Sequence, residues 1–158
     1  MFFNFKKRKK ELVAPCSGEL IRMEEVKDEV FSQKMMGDGF AIQSEGDVFC
    51  SLGNGTVTAI FPSNHAYGIT LDDGLEILVH IGLDTVTENG KGFDCTHKVG
   101  DKVVAGEKIV TIDRNYLESK NYDLTTMVIF TNGETYKSFD CPYGSKVSVK
   151  KDIVATYK

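Results

Sequence analysis

Hydrophobic and polar residues alternate from Leu75 onward, which is the pattern of a half-buried β-strand. One face carries Leu75, Ile77, Val79 and Ile81, and the other carries Glu76, Leu78, His80 and Gly82. The preceding dipeptide, Asp73-Gly74, favours a two-residue turn, because a type I′ turn needs positive φ at both central positions. Apolar residues also precede this turn, so residues 60–82 are predicted to form a β-hairpin.

The predicted turn fixes which residues of the hairpin face each other. A two-residue turn pairs Asp72 with Leu75, which places Tyr67 opposite His80. His65 shares the parity of Tyr67, so we predict it on the same face as His80, as its diagonal neighbour. Diagonal neighbours lie about 7–8 Å apart, within reach of each other's side chains. A loop one residue longer or shorter would send the two imidazoles to opposite faces.

Short apolar runs separated by glycine-containing turns recur along the rest of the chain. This pattern is typical of an all-β fold, an antiparallel sandwich or barrel with one or two short helices. The best helix is Asp113–Lys120, with Asp113 as its N-cap. Residues 15–21 resemble residues 51–57, which indicates an internal duplication. The strands are predicted at Leu12–Ala14, Glu19–Arg22, Phe40–Ile42, Thr56–Phe61, Lys108–Ile112, Met127–Phe130, Thr135–Phe139, Lys146–Val149 and Ile153–Tyr157.

Charge is distributed unevenly along the 158 residues. The chain carries −4 overall, yet the run Lys6–Lys10 supplies five positive charges, so the remainder carries −9. An acidic body argues against nucleic acid and indicates a basic partner surface. We expect residues 1–11 to form a basic, flexible tail, with at most peripheral contact to anionic lipid. Residues 12–158 are expected to form a single domain.

The four cysteines are scattered and form no Cys-x-x-Cys motif. Reduced, mostly buried thiols are therefore expected, which favours a cytoplasmic location. No stretch approaches the roughly 18 apolar residues of a membrane-spanning helix. His97, in Cys95-Thr96-His97-Lys98, lies outside the hairpin and is expected to be solvated.

Three motifs around the hairpin resemble a known family. They read Gly-x-Val-x-x-Ile-Phe-x-Ser-x-His-Ala-x-Gly-Ile, Asp-Gly-x-Glu-Ile-Leu-Val-His-Ile-Gly-Leu-Asp-Thr-Val and Gly-x-Gly-Phe. Together they closely resemble the glucose-family enzyme IIA domain of the bacterial phosphoenolpyruvate-dependent sugar phosphotransferase system. The resemblance covers nearly the whole chain and implies an antiparallel β-sandwich with internal duplication.

The resemblance implies a phosphoryl-transfer function. The chain would take a phosphoryl group from the phosphocarrier HPr and pass it to the IIB domain of a sugar permease, with regulated enzymes or permeases as further partners. His80 matches the phosphorylated histidine, His65 its companion, and Ser63 a hydroxyl residue that orients the companion ring. Asp28 and Asp84 match acidic residues beside the site. The expected apolar docking surface comprises Val30, Phe31, Met35, Met36, Phe61, Leu78 and Val86.

These residue types suit the implied chemistry. A neutral imidazole is a good nucleophile near pH 7, because its ordinary pKa is about 6.5. One nitrogen of His80 would attack phosphorus while the other stays protonated, for example against a backbone carbonyl at Ile81–Gly82. His65 can donate an N–H to the phosphoryl oxygens. The chemistry requires neither a metal nor a cofactor.

Two other classes of protein remain open from the residues alone. A zinc peptidase of related duplicated β fold needs a His-x-His pair, which His80-Ile81-Gly82 does not supply. A non-catalytic carrier or regulator is the other alternative. The stretch Val99–Gly106 is similar to biotinyl and lipoyl domains, but the chain has no Met-Lys-Met acceptor turn.

Overall fold

The computed structural model describes residues 10–136 and 139–157, which form short strands and few helices. The helices are α1 Glu29–Ser32 and α2 Arg114–Ser119, and single 3-10 turns lie at Met23–Glu25, Thr85–Glu88 and Gly133–Thr135. The strands are β1 Lys10–Val13, β2 Ser17–Arg22, β3 Asp38–Glu45, β4 Val48–Cys50, β5 Gly55–Ile60, β6 Ala66–Leu71, β7 Glu76–Ile81, β8 Phe93–Cys95, β9 Lys102–Val103, β10 Lys108–Ile112, β11 Thr125–Phe130, β12 Phe139–Asp140, β13 Lys146–Val147 and β14 Ile153–Tyr157.

The strands form one large and two small antiparallel sheets. The large sheet has eight strands in the order β13-β2-β3-β11-β7-β6-β5-β9. The small sheets have three strands each, in the orders β1-β14-β12 and β4-β10-β8. The prediction of an antiparallel all-β fold with short helices is confirmed. The hairpin β6–β7 lies inside the large sheet, where β11 pairs with the other edge of β7.

Strand alternation divides the buried side chains into two clusters on opposite faces of the large sheet. Successive side chains of a strand point to opposite faces, so neighbouring residues enter different clusters. The larger cluster includes Leu20, Phe40, Ile77, Val79 and Val128, and the smaller includes Ile21, Ala41, Ala66, Leu78 and Met127. The smaller cluster lies on the face to which Leu78 and His80 belong. The two faces predicted for β7 are therefore correct.

The predicted register of the hairpin is wrong by one residue. The loop has three residues, 72–74, and the amide of Leu71 donates to the carbonyl of Leu75 at 2.8 Å. Gly74 has φ 99°, whereas Asp73 is not among the residues with positive φ, so a type I′ turn does not form. Ala66, and not Tyr67, consequently pairs with His80.

The structure also tests two other predicted elements. The helix α2 lies inside the predicted Asp113–Lys120, and Asp113 caps it by accepting a hydrogen bond from the amide of Tyr116 at 3.1 Å. The predicted strand Thr135–Phe139 is wrong in its first part. Residues 133–135 form a 3-10 turn, and Phe139 belongs to β12.

The expected basic tail lies mostly outside the described residues, which begin at Lys10. Lys10 and Glu11, which the prediction assigned to the tail, belong to β1. The Lys10 ammonium binds the Asp73 carboxylate at 2.8 Å. No helix in the described part of the chain has the length and apolar character needed to cross a membrane.

Candidate active site around two histidines

His80 projects from the end of β7 and is held by a backbone carbonyl. Its Nδ1 lies 3.0 Å from the carbonyl oxygen of Gly82. A carbonyl only accepts hydrogen bonds, so Nδ1 carries the proton and Nε2 keeps its lone pair. Gly82 has φ 79°, and a Cβ at this position would lie 2.5 Å from a methyl carbon of Thr85. Only glycine fits this turn, which aims the carbonyl back at the ring.

His65 lies beside His80, although not for the predicted reason. In the observed register it stands opposite Ile81, whose amide donates to the His65 carbonyl at 2.8 Å. His65 precedes the first ladder pair of β6, and Asn64 before it is left-handed at φ 57°. Strand alternation therefore does not set its side-chain direction. The two imidazole centroids lie 4.9 Å apart at 82°, so the predicted meeting of the rings is correct and the register used to derive it is not.

Two phenylalanine rings extend the histidine pair into an aromatic row. The ring of Phe31 lies 5.0 Å from that of His80, and the ring of Phe61 lies 5.7 Å from that of His65. His65 is only 4% exposed, whereas His80 is half-buried. The row thus removes water from both imidazoles but leaves His80 accessible from solvent.

Burial decides the protonation state of both rings. Burial, and next the neighbouring His65, lower the pKa of His80 to about 4, although the Gly82 carbonyl and two carboxylates oppose this shift. Burial also lowers the pKa of His65. Both imidazoles are therefore neutral at pH 7, which is the state in which Nε2 of His80 is a nucleophile.

The two opposing carboxylates belong to Asp28 and Asp84, the acidic residues expected near the site. Asp28 caps α1 by accepting a hydrogen bond from the amide of Val30 at 2.9 Å. Asp84 is exposed and left-handed, at φ 60°, directly before the 3-10 turn Thr85–Glu88. Both carboxylates act electrostatically on His80, so they place negative charge near its ring.

Ser63 is near the site but does not bind His65 in this structure. The Ser63 hydroxyl donates to the carbonyl of Val86 over a long 3.4 Å. Nδ1 of His65 is buried and has no hydrogen-bond partner. Leaving a buried nitrogen unpaired costs free energy. The contacts that the His65 ring does make are with the rings of Phe61 and His80.

The expected docking surface has an exposed part and a buried part. The exposed part consists of Val30 (43%), Met35 (71%), Met36 (38%) and Val86 (50%). Two other large hydrophobic side chains of the described residues are comparably exposed, Val99 and Val104, and they lie on either side of β9. Beneath the exposed part lie Phe31, Leu78 and the half-buried Phe61, which pack in the smaller cluster.

Outside the histidine pair, the described residues include an aromatic cleft and a third histidine. No group of three or more His, Cys, Asp or Glu side chains among them could hold a metal ion. A cleft of about 450 Å³ is lined by aromatic residues that include Phe130 and Tyr143, but by neither histidine of the pair. His97 is not solvated as predicted, because its Nε2 lies 2.6 Å from the Glu107 carboxylate.

Thr85 and Glu88 hold the segment after β7, and neither was predicted to do so from the sequence. Thr85 is fully buried and its hydroxyl donates to the carbonyl of Ile81 at 2.5 Å. Glu88 accepts hydrogen bonds from two tyrosines 28 and 34 residues further along the chain. No local pattern marks such distant partners.

Comparison with known proteins shows the family to which the chain is similar. The family described as phosphoenolpyruvate-dependent sugar phosphotransferase system, EIIA 1, matches residues 10–136. A glucose-specific EIIA component of Mycoplasma capricolum subsp. capricolum is 39% identical over 155 residues, covering 95% of this chain and 99% of that protein. A glucose-specific EIICBA component of Streptococcus pneumoniae serotype 4 is 45% identical over 135 residues, or 85% of this chain and 19% of that protein.

A solved structure is equally similar. The glucose permease IIA from Mycoplasma capricolum superposes with a TM-score of 0.88 at 38% identity, covering 98% of this chain and 99% of that one. The agreement in sequence extends over most of the chain, and the folds coincide. The chain therefore belongs to the EIIA family of the phosphoenolpyruvate-dependent sugar phosphotransferase system.

Proposed function

We propose that His80 accepts a phosphoryl group from phospho-HPr and passes it to the IIB domain of a sugar permease. As a member of its family, the chain is a phosphoryl-transfer component of the sugar phosphotransferase system. The observation that supports His80 as the reacting residue is its neutral, oriented ring: Nδ1 faces the Gly82 carbonyl, and Nε2 keeps its lone pair. The zinc peptidase and the non-catalytic carrier have no comparable support.

In the proposed step, the Nε2 lone pair of His80 attacks phosphorus in line with the bond to be broken. The new N–P bond forms as the P–N bond of the donor histidine breaks, and the donor ring keeps that electron pair. The proton stays on Nδ1 of His80, which continues to donate it to the Gly82 carbonyl, so the phosphorylated ring remains oriented. Phosphoryl transfer depends mainly on such placement and on stabilising the equatorial oxygens.

His65 is proposed to stabilise those oxygens. Its ring contacts that of His80, and burial keeps it neutral, so it can donate one N–H to the phosphoryl group. A donation from Nε2 leaves Nδ1 as an acceptor, and Nδ1 has no partner in this structure. We propose that Ser63, two residues before His65 in the chain, orients the His65 ring. In this structure the Ser63 hydroxyl makes only a long hydrogen bond of 3.4 Å, to the carbonyl of Val86.

The partner surface is proposed to combine the exposed apolar side chains with the two carboxylates. The apolar part would be buried on docking, and the carboxylates of Asp28 and Asp84 would meet a basic partner. After transfer, the same carboxylates lie near a phosphoryl group of like charge, which favours passing it on. Relatives named EIICBA and EIIBCA support IIB as the acceptor, since those names join A, B and C parts in one protein. Regulated partners and a cytoplasmic location stay predictions.

The test is incubation with phosphoenolpyruvate, enzyme I and HPr, followed by intact mass measurement. We expect the wild-type chain to gain one phosphoryl group and His80→Ala to gain none. His97→Ala is the matched control, because it removes an imidazole outside the pair, and it should be labelled like wild type. Labelling of His80→Ala at the wild-type rate would reject the proposed function.

A further inference from the structure

The segment 82–88 carries three groups of the proposed site in an unusual backbone conformation. Gly82 supplies the carbonyl that faces His80, and the side chains of Asp84 and Val86 are exposed. Gly82 and Asp84 have φ of 79° and 60°. A non-glycine residue stays left-handed only where the surrounding structure holds it. The contacts at the two ends of this segment therefore matter for the site.

The inner end of the segment is held by backbone bonds to the first residue of β11 and to the stretch before it. The amide of Gly82 donates to the carbonyl of Thr125 at 3.1 Å. The amide of Leu83 donates to the carbonyl of Asp123 at 2.9 Å. These bonds fix where the segment leaves the sheet, but not where it ends.

The outer end is held by a carboxylate and two phenols. Glu88 accepts hydrogen bonds from the hydroxyls of Tyr116, on α2, and Tyr122, which follows α2. The Tyr122 hydroxyl also lies 2.7 Å from that of Thr87. Glu88 thus ties the end of the segment to α2 and to the chain that leads into Asp123.

The charges around this cluster keep it intact at neutral pH. The hydrogen bond from Tyr116, and next that from Tyr122, lower the pKa of the Glu88 carboxyl. The bond to Glu88 raises the pKa of Tyr116 to about 12. The ammonium groups of Lys91 and Lys120 lie 5.0 and 5.7 Å from the Tyr116 ring centroid. An ionised acceptor with two neutral donors forms stronger hydrogen bonds than neutral pairs do.

We propose that Glu88 is a positioning residue for phosphoryl transfer, acting through Tyr116 and Tyr122 to hold segment 82–88 so that the Gly82 carbonyl keeps a proton on Nδ1 of His80. The kinetic consequence rests on the proposed function, whereas the effect on the tautomer does not. When Glu88 no longer holds Tyr122, the neighbouring Asp123 carbonyl, which accepts from the Leu83 amide, loses its fixed place. The Gly82 carbonyl belongs to the same peptide group as that amide, so it moves too and the ring populates both tautomers. Nε2 then has a free lone pair in only part of the molecules.

The experiment compares Glu88→Ala with Tyr116→Phe and Tyr122→Phe, each of which keeps its ring and loses only a hydroxyl. Nitrogen-15 NMR of the imidazoles reports the His80 tautomer, and rapid mixing with phospho-HPr gives the single-turnover transfer rate. We expect mixed tautomers and a rate about threefold to tenfold lower, the size of one or two lost hydrogen bonds. Glu88→Gln, which keeps one acceptor oxygen, should lie between Glu88→Ala and wild type.

Two controls separate positioning from general destabilisation. Glu118→Gln removes a charge from the exposed side of α2 and should change neither readout. Tyr157→Phe breaks a phenol–carboxylate bond, to Asp73, at the other end of the hairpin. It should lower stability and leave the His80 tautomer unchanged.

The outcomes are distinguishable. A single Nδ1–H tautomer in all the cluster variants, or mixed tautomers with an unchanged rate, would overturn the positioning role. If Glu88→Ala does not fold, the two phenylalanine variants decide. A wild-type chain that phospho-HPr does not label would reject the proposed function, while mixed tautomers in the variants would still support the hold of Glu88 on the ring.

Discussion

The two ends of the β6–β7 hairpin are built in opposite ways. At the turn, Asp73 accepts hydrogen bonds from Lys10 at 2.8 Å, from Tyr157 at 2.6 Å and from the amide of Leu75 at 3.1 Å. At the open end, Nδ1 of His65 is buried without a partner, and burial lowers the pKa of both histidines. The carboxylate at the turn end is therefore hydrogen-bonded, whereas at the open end a buried imidazole nitrogen is not.

The difference separates stability from chemistry. A satisfied carboxylate stabilises the fold because breaking its bonds leaves a charge poorly paired. A neutral imidazole with a free lone pair contributes little to stability but is ready to react. We therefore expect changes at the turn end to alter unfolding and changes at the open end to alter phosphoryl transfer.

Apart from His80→Ala, the largest effect is expected for His65→Gln at the open end. The variant should still accept a phosphoryl group on His80, but pass it to IIB about 100-fold more slowly, because it loses the donor proposed to stabilise the transferring oxygens. Rapid-quench measurement of transfer from the phosphorylated chain checks this. His97→Gln serves as the control, and an unchanged rate in His65→Gln would remove His65 from the mechanism.

The next effect is expected at the turn end, for Asp73→Asn. It loses the charge that Lys10 and Tyr157 bind, so the free energy of unfolding should fall by about 1.5–3 kcal/mol. Denaturant titration measures the loss, with the exposed neighbour variant Asp72→Asn as control. Phosphorylation of His80 should be unchanged. A reduced phosphorylation rate at full stability would contradict the separation between the ends.

The two ends should also respond to different ranges of pH. The pKa of His80 is about 4 in the folded chain against 6.5 as its ordinary value, so the unfolded chain binds the proton first. The free energy of unfolding is therefore unaffected by His80 above pH 6.5, and it decreases as the pH falls from 6.5 towards 4. NMR titration should give a His80 midpoint near 4, and a midpoint at or above 6.5 would contradict the burial argument.

The pKa of Asp73 shifts the same way for another reason. Burial alone would raise it, but the hydrogen bonds from Lys10 and Tyr157 outweigh burial and lower it below 3.8. Stability from the turn end is therefore present above pH 3.8 and is lost only below it. Unfolding curves of wild type and Asp73→Asn should converge in that lower range. Convergence already at pH 6 would contradict this order.

The smallest effect is expected on the docking surface. Met35→Ser removes the most exposed hydrophobic side chain there, 71% exposed, and should raise the KM for phospho-HPr about threefold, as for most single interface residues. Val104→Ser changes a side chain that is 59% exposed in a different loop and should leave KM unchanged. Equal effects of the two variants would argue against the proposed surface.

Patterns within one strand or one motif could be predicted from the sequence. Alternation in β7 placed Val79 in one cluster and Leu78 in the other because burial on both faces enforces it. The cap at Asp113 was equally visible, since an N-cap contacts residues of its own first turn. The meeting of His65 and His80 was derived from the predicted turn, and a long motif matched both to a family; the rings do meet, although the register was wrong by one residue.

Contacts between distant residues decided what could not be predicted. The turn has three residues rather than two, and Lys10 and Tyr157, 63 and 84 residues from Asp73, bind the Asp73 side chain within it. His97 contacts the carboxylate of Glu107, ten residues further along the chain. Such contacts depend on the packed sheets, so neither the turn type nor the environment of His97 follows from neighbouring residues alone.

The backbone bond between Ile81 and His65 has a practical consequence. The amide proton of Ile81 can exchange with deuterated solvent only when the carbonyl of His65 moves away. This happens when the strands that carry the two rings separate. The deuterium uptake of a single amide therefore measures how often the reactive pair comes apart. That measurement needs no phosphorylated partner, so it can follow the integrity of the pair in variants too damaged to react.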